Sequence, residues 1–131
     1  MISAKDLRDI ASARLADSEV LRKERRFDGA TYLCGYVVEL TLKARICDTL
    51  KWAGFPQTRS EFENYRSFRT HSLDVLLSLT GVERDVKTKC FAEWSIVVKW
   101  DPEVRYKPIG TAKEQDADLM IESTKALLAI I

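Results

Sequence analysis

Apolar residues recur at helical spacing along most of the chain. From Ser3 to about Arg25, Leu7, Ala11 and Leu15 repeat every four residues with Ile10 alongside, which predicts an amphipathic helix. Ser3 is its expected N-cap, with Asp6 placed to favour the positive end of the dipole. The second stretch, about Asp28 to Trp52, carries Leu33, Val37, Leu40, Ala44 and Cys47 on one helical stripe, and Val38, Leu42 and Ile46 widen it. A helix apolar over so much of its circumference belongs at the centre of a fold. Gly35 lies inside it, where glycine costs about 1 kcal/mol relative to alanine, so it is expected where a neighbouring helix comes close.

Gly54 and Pro56 in "GFPQT" break the pattern. Thr58 and Glu61 then have capping-box spacing and predict a short helix to about Tyr65. A further helix is expected from Thr70–Ser72, with Leu73, Leu76 and Leu77 inward and Gly81 as its stop. Val86, Cys90, Trp94 and Val97 or Val98 predict one helix over about Glu83–Lys99. "WDPEVRYKPIG", with two prolines and a glycine, reads as an ordered crossover loop anchored by Trp100, Val104 and Tyr106. The last helix is expected from "TAKE", with Thr111 and Glu114 at capping-box spacing and Ala117, Ile121, Thr124, Leu128 and Ile131 inward. The pattern predicts one all-α domain over residues 1–131, an up-and-down bundle of four main helices with an additional short one.

Composition changes this picture little. At 131 residues, 46% hydrophobic and 31% charged, the chain suits one soluble globular domain. Lys plus Arg is 21 and Asp plus Glu is 20, a net charge of +1 that argues against a surface built throughout for polyanions and leaves a local basic groove open. Cys34, Cys47 and Cys90 are odd in number and widely spaced, so neither a disulfide framework nor a zinc site is expected, and a reducing cytoplasm is the simplest location. The charged N-terminal segment does not read as a signal peptide, and no run of about 18 apolar residues predicts a membrane span. The "RKERR" cluster after the first helix reads as a solvated, dipole-favoured helix end.

Most site chemistries lack their residues. There is no phosphate-cradling glycine loop, no HExxH and no nucleophile elbow, and no metal or cofactor is expected. Trp52, Trp94 and Trp100 are too scattered for a stacking motif. Two constellations remain. Tyr32, Tyr36, Glu39 and Lys43 share a second face of the central helix, with Glu39 four residues ahead of Lys43 in the favourable orientation for an ion pair. That face is either a partly buried structural pair or a polar site. Arg66 and His71, the only histidine, are separated by four residues; metal-free RNA cleavage needs a base, an acid and a cation, roles that His and Arg fill.

"RRFDGATYLCGYVVELTLKARI" resembles the second helix of HEPN-domain proteins, through Phe27, Asp28, Ala30, Tyr32, Leu33, Tyr36, Glu39, Leu42, Lys43 and Ala44. Thr70, His71, Leu73, Leu76 and Leu77 resemble that family's "THdL..LL" segment, with Ser72 in place of the acid, and Arg105 and Tyr106 its late "RY". The resemblance implies a four- or five-helix bundle, a homodimer, and a place in toxin–antitoxin or defence systems with a nucleotidyltransferase antitoxin partner. It also implies one of two functions. One is non-catalytic binding of a nucleotide, an RNA or that partner through Glu39, Lys43, His71, Arg105 and Tyr106. The other is a metal-independent ribonuclease toxin using the Arg-x4-His spacing of Arg66 and His71 across a dimer. In the family's nuclease branch that motif lies on a later helix with Asn, Asp or His after the arginine; here Ser67 follows it, which favours the first.

Overall fold

The computed structural model describes residues 1–131 and contains six α-helices and no strand. Helices α1 (Ala4–Lys23) and α2 (Phe27–Leu50) form a hairpin across a three-residue link. A long connection leads to α3 (Leu73–Leu79), α4 (Glu83–Lys89) and α5 (Phe91–Val97); a second loop leads to α6 (Glu114–Leu128). Helix α2 is the axis: α1, α3 and α6 all pack on it, and α5 packs on α6. The chain is thus an all-α bundle with added short helices, as its periodicity predicts. No helix is long and apolar enough to cross a membrane.

The central position of α2 shows in its burial. Cys34, Val37, Val38, Leu42, Ala44 and Ile46 are all fully buried, so the helix has core on several sides. In α1, Leu7 and Ala11 face inward as expected, whereas Ile10 is exposed. The inward position after Ala11 is taken instead by Ser18, whose hydroxyl donates to the Ala30 carbonyl at 2.8 Å and lies 3.1 Å from Cys34 Sγ. That bond lets a polar residue sit at a tight crossing of two helices. Ser3 caps α1, accepting from the Asp6 amide at 3.0 Å. The basic cluster does more than face solvent: Arg22 bonds Asp118 at 2.6 Å and Arg25 pairs with Glu114, tying the end of α1 to α6.

Three elements differ from the periodic pattern. Thr58 and Glu61 form their reciprocal capping bonds (3.2 and 3.3 Å), yet only turns follow, because Phe62 alone offers that segment an apolar anchor. The expected Glu83–Lys99 helix is two seven-residue helices broken at Cys90, whose backbone leaves the helical region (φ −131°, ψ 44°). Val86, Cys90, Trp94 and Val97 still face inward, because the Val86–Cys90 and Cys90–Trp94 backbone bonds survive the break. Helix α6 starts at Glu114, later than the Thr111 cap predicts: Asp116 accepts the Lys113 amide at 2.8 Å, and the Thr111 hydroxyl turns to the Pro108 carbonyl.

Ordering of the long connection comes from aromatic packing. Trp52 lies 4.9 Å from Phe68 and 5.0 Å from Tyr65 between ring centres, and Phe55 lies 6.1 Å from Phe62. Edge-on and tilted contacts of this kind add to the apolar area they bury. They deliver the chain, through a single 3-10 turn at Arg66–Phe68, to the start of α3 beside the middle of α2.

Candidate functional site

Helix α2 presents Tyr32, Tyr36, Glu39 and Lys43 at spacings of four, three and four residues, hence on one face. Glu39 is the unusual member, a carboxylate only 3% exposed. A buried carboxylate is costly unless it is paired, and this one has two donors. Lys43 Nζ lies 3.3 Å from Oε2 and His71 Nδ1 lies 2.7 Å from Oε1. A carboxylate oxygen accepts, and two acceptors cannot share a bond, so in this pairing Nδ1 is the nitrogen that donates. The other ring nitrogen is then the one available to solvent, and the His71 side chain is 61% exposed.

The other residues of the cluster are placed locally. Ser72 caps α3 by accepting the Val75 amide, so His71 is the last residue before the cap and its ring swings back to α2. Lys43 runs over the Phe55 ring, 5.3 Å from its centre, so the aromatic connection also seats the ammonium.

The upper half of the same face is aromatic. Tyr32 and Tyr36 meet edge to face, their hydroxyls 3.5 Å apart, and Tyr36 meets Trp100 with ring centres at 4.9 Å. The Tyr32 hydroxyl and partial burial push the Tyr36 phenol up to about 12, so it stays neutral well above physiological pH. Trp100 is buried and donates Nε1–H to the Tyr32 carbonyl at 3.1 Å. Its ring lies directly on Gly35, so the close approach that the glycine permits is to an indole and not to a helix.

Arg105 lies on the 3-10 turn Pro102–Tyr106. Its guanidinium lies 4.7 Å from the centre of the Tyr106 ring, and the Tyr106 and Tyr32 hydroxyls further favour its charged form. Tyr106 itself is 72% exposed and does not anchor the loop as its sequence position suggests; Trp100 and Val104 do. The structure therefore gathers Glu39, Lys43 and His71 into one bonded cluster and puts Arg105 and Tyr106 beside Tyr32, at the other end of the same face. Arg66 is exposed on its turn and makes no hydrogen bond or ion pair with any of them.

Sequence reasoning missed Asp28. Its two carboxylate oxygens accept the Gly110 and Ala112 amides at 2.6 and 2.8 Å, pinning the far end of the crossover loop to the start of α2. No local pattern links residues 82 positions apart, although the positive φ of Gly110 (86°) is what a glycine in "KPIG" offers. These amides, Gly110 first, hold the Asp28 carboxyl below the usual aspartate range. A depressed folded-state value means a contribution that is complete above the unfolded-state value, about 4, and fades as pH falls through the folded one. The Gly110 and Ala112 amide resonances are therefore expected to hold steady from pH 7 to about 4 and to move only below it. In Asp28→Ala both amides exchange several-fold faster at every pH; an inflection above about 4 in the native chain contradicts the clasp.

The three cysteines are free and buried, and burial pushes each thiol up, away from nucleophilic use. No three His, Cys, Asp or Glu side chains converge as a metal-binding group would. No protein-family model matches the chain, and neither a curated protein nor a solved structure matches it.

Proposed function

We propose that this chain is a HEPN-type binding protein, non-catalytic, that holds a nucleotide or RNA segment along the α2 face of Tyr32, Tyr36, Glu39 and Lys43 and works with a nucleotidyltransferase partner in a cytoplasmic toxin–antitoxin or defence system, as a homodimer. The observation that carries the reading is the row itself: two tyrosines, a buried carboxylate with an ammonium and an imidazole on it, and a guanidinium at the far end. Aromatic edges suit a base and the cations suit phosphate. Retention of a buried charge where an apolar residue would pack as well also points to use beyond stability.

The same geometry supports a second reading, a metal-independent ribonuclease. A buried carboxylate that orients an exposed imidazole is the arrangement of a general base, and Glu39 does this for His71. The cation would then be Arg66, from the same chain or a second copy.

His71→Ala separates the two. Because Glu39 keeps Lys43 and the ring is mostly solvated, its stability cost is expected to stay under about 1 kcal/mol, so changes in function are readable. Under the binding reading, wild type binds a 5′-mononucleotide or a labelled RNA by fluorescence titration, and Arg105→Ala and His71→Ala each weaken binding about tenfold. No binding by wild type at millimolar ligand sinks it. RNA cleavage that persists in EDTA and disappears in His71→Ala selects the ribonuclease.

A further inference from the structure

The crossover loop roofs a cleft of about 530 Å³ between the start of α2, the end of α5 and the start of α6. The volume is that of a small-molecule site. Its wall is apolar, formed by Ile96, Trp100, Val104, Leu119 and Met120. Three cations, Lys99, Arg105 and Lys107, stand along it, all exposed and none in an ion pair with a carboxylate of the chain.

The two carboxylates that also line the cleft keep their charge, but they are turned to backbone amides and the three cations outnumber them. Asp28 has both oxygens filled by the Gly110 and Ala112 amides, and Asp116 accepts the Lys113 amide. Some basic side chains of this surface have acidic partners: Arg22 and Arg25 take Asp118 and Glu114, and Lys87 takes Asp74 and Glu83. In this cleft three cations without such partners stand together beside an apolar wall.

We infer that the cleft beneath residues 101–112 binds a small organic anion, a compact apolar body bearing one carboxylate or phosphate head. The body lies on Trp100, Ile96 and Met120 and excludes water from apolar surface. The head meets Lys99 and Lys107, with Arg105 positioned by the Tyr106 ring to give a planar fork of donors. The cleft shares Tyr32 and Arg105 with the α2 row but not Tyr36, Glu39, Lys43 or His71, so this inference stands whether or not the function proposed above is correct.

The test is a titration of isotope-labelled protein followed through its amide resonances, with three probes of one shape: 2-naphthoate, 2-naphthyl phosphate and the neutral 2-naphthylmethanol. At least one anion is expected to saturate, with shifts at residues 96–112 and the first turn of α6, and to bind roughly tenfold or more tighter than the alcohol. Which anion is tighter assigns the head group. The double variant Lys99→Met/Lys107→Met, both at exposed positions, removes most of the anion's advantage over the alcohol, with Arg105 remaining, and leaves the alcohol unchanged; an undiminished advantage overturns the assignment of the head. The inference is overturned if neither anion saturates by a few millimolar, if the alcohol binds as well as both anions, or if the shifts map away from the loop.

Discussion

Gly35→Ala is expected to destabilise the protein by about 2–3 kcal/mol, seen as a lower urea midpoint at unchanged slope. The direction is informative because intrinsic propensity points the other way: alanine for glycine inside a helix is favourable by about 1 kcal/mol. At Gly35 the added Cβ falls 1.9 Å from Trp100 Cε2 and 2.0 Å from Cδ2, well inside contact distance. The indole cannot swing aside cheaply, since it is buried and its Nε1 is anchored to the Tyr32 carbonyl. Trp100→Leu alone leaves a cavity and costs about 3 kcal/mol. In the double variant the methyl fills part of that space, so the combined loss should fall well below the sum of the two. A neutral or stabilising Gly35→Ala, or strict additivity, contradicts this packing.

Lys43→Met is expected to cost about 3 kcal/mol, more than any ordinary surface lysine, because it leaves Glu39 buried with only the solvent-exposed His71 as donor. The methionine stem retains the contact over Phe55, so the loss reports the charge and not the packing. Glu39→Leu added to Lys43→Met removes the stranded carboxylate and should restore most of the stability. If Lys43→Met loses less than about 1 kcal/mol, the carboxylate has found water, and Glu39 is not the buried anchor its surroundings imply. Thermal or denaturant melts of the two variants and their combination decide the matter.

Much of this architecture is legible in the residues alone. The stripe from Leu33 to Cys47, the leucines after Ser72 and the Val86–Trp94 repeat locate the long elements and most of the core, because helical period is a local property. What escapes is whatever depends on distant partners. Cys90 breaks a helix without a glycine or proline to announce it. The Thr58–Glu61 box forms where no apolar stripe exists to extend it. Ile10 lies outside, and Ser18 lies inside where its hydroxyl finds the Ala30 carbonyl of the neighbouring helix. At the candidate site, Glu39 and Lys43 share a face by spacing alone, but their junction with His71 depends on a connection ordered by Trp52, Phe55, Phe62 and Phe68. The cleft is harder still to foresee, since it exists only once Asp28 draws in a loop 82 residues away.

Helix α2 also works as a ruler. Tyr32, at the cleft, and Glu39, under His71, are seven residues apart on a helix rising about 1.5 Å per residue, which separates them by roughly 10 Å. Because α2 is packed by α1, α3 and α6, that interval is rigid. A molecule that engages both ends must bring its own two contact groups at that pitch, about the reach of two nucleotides or three extended residues. Shorter ligands must choose one end. Inserting one residue between Tyr36 and Glu39 would turn the two ends about 100° out of line, so the gauge is set by phase as well as by length.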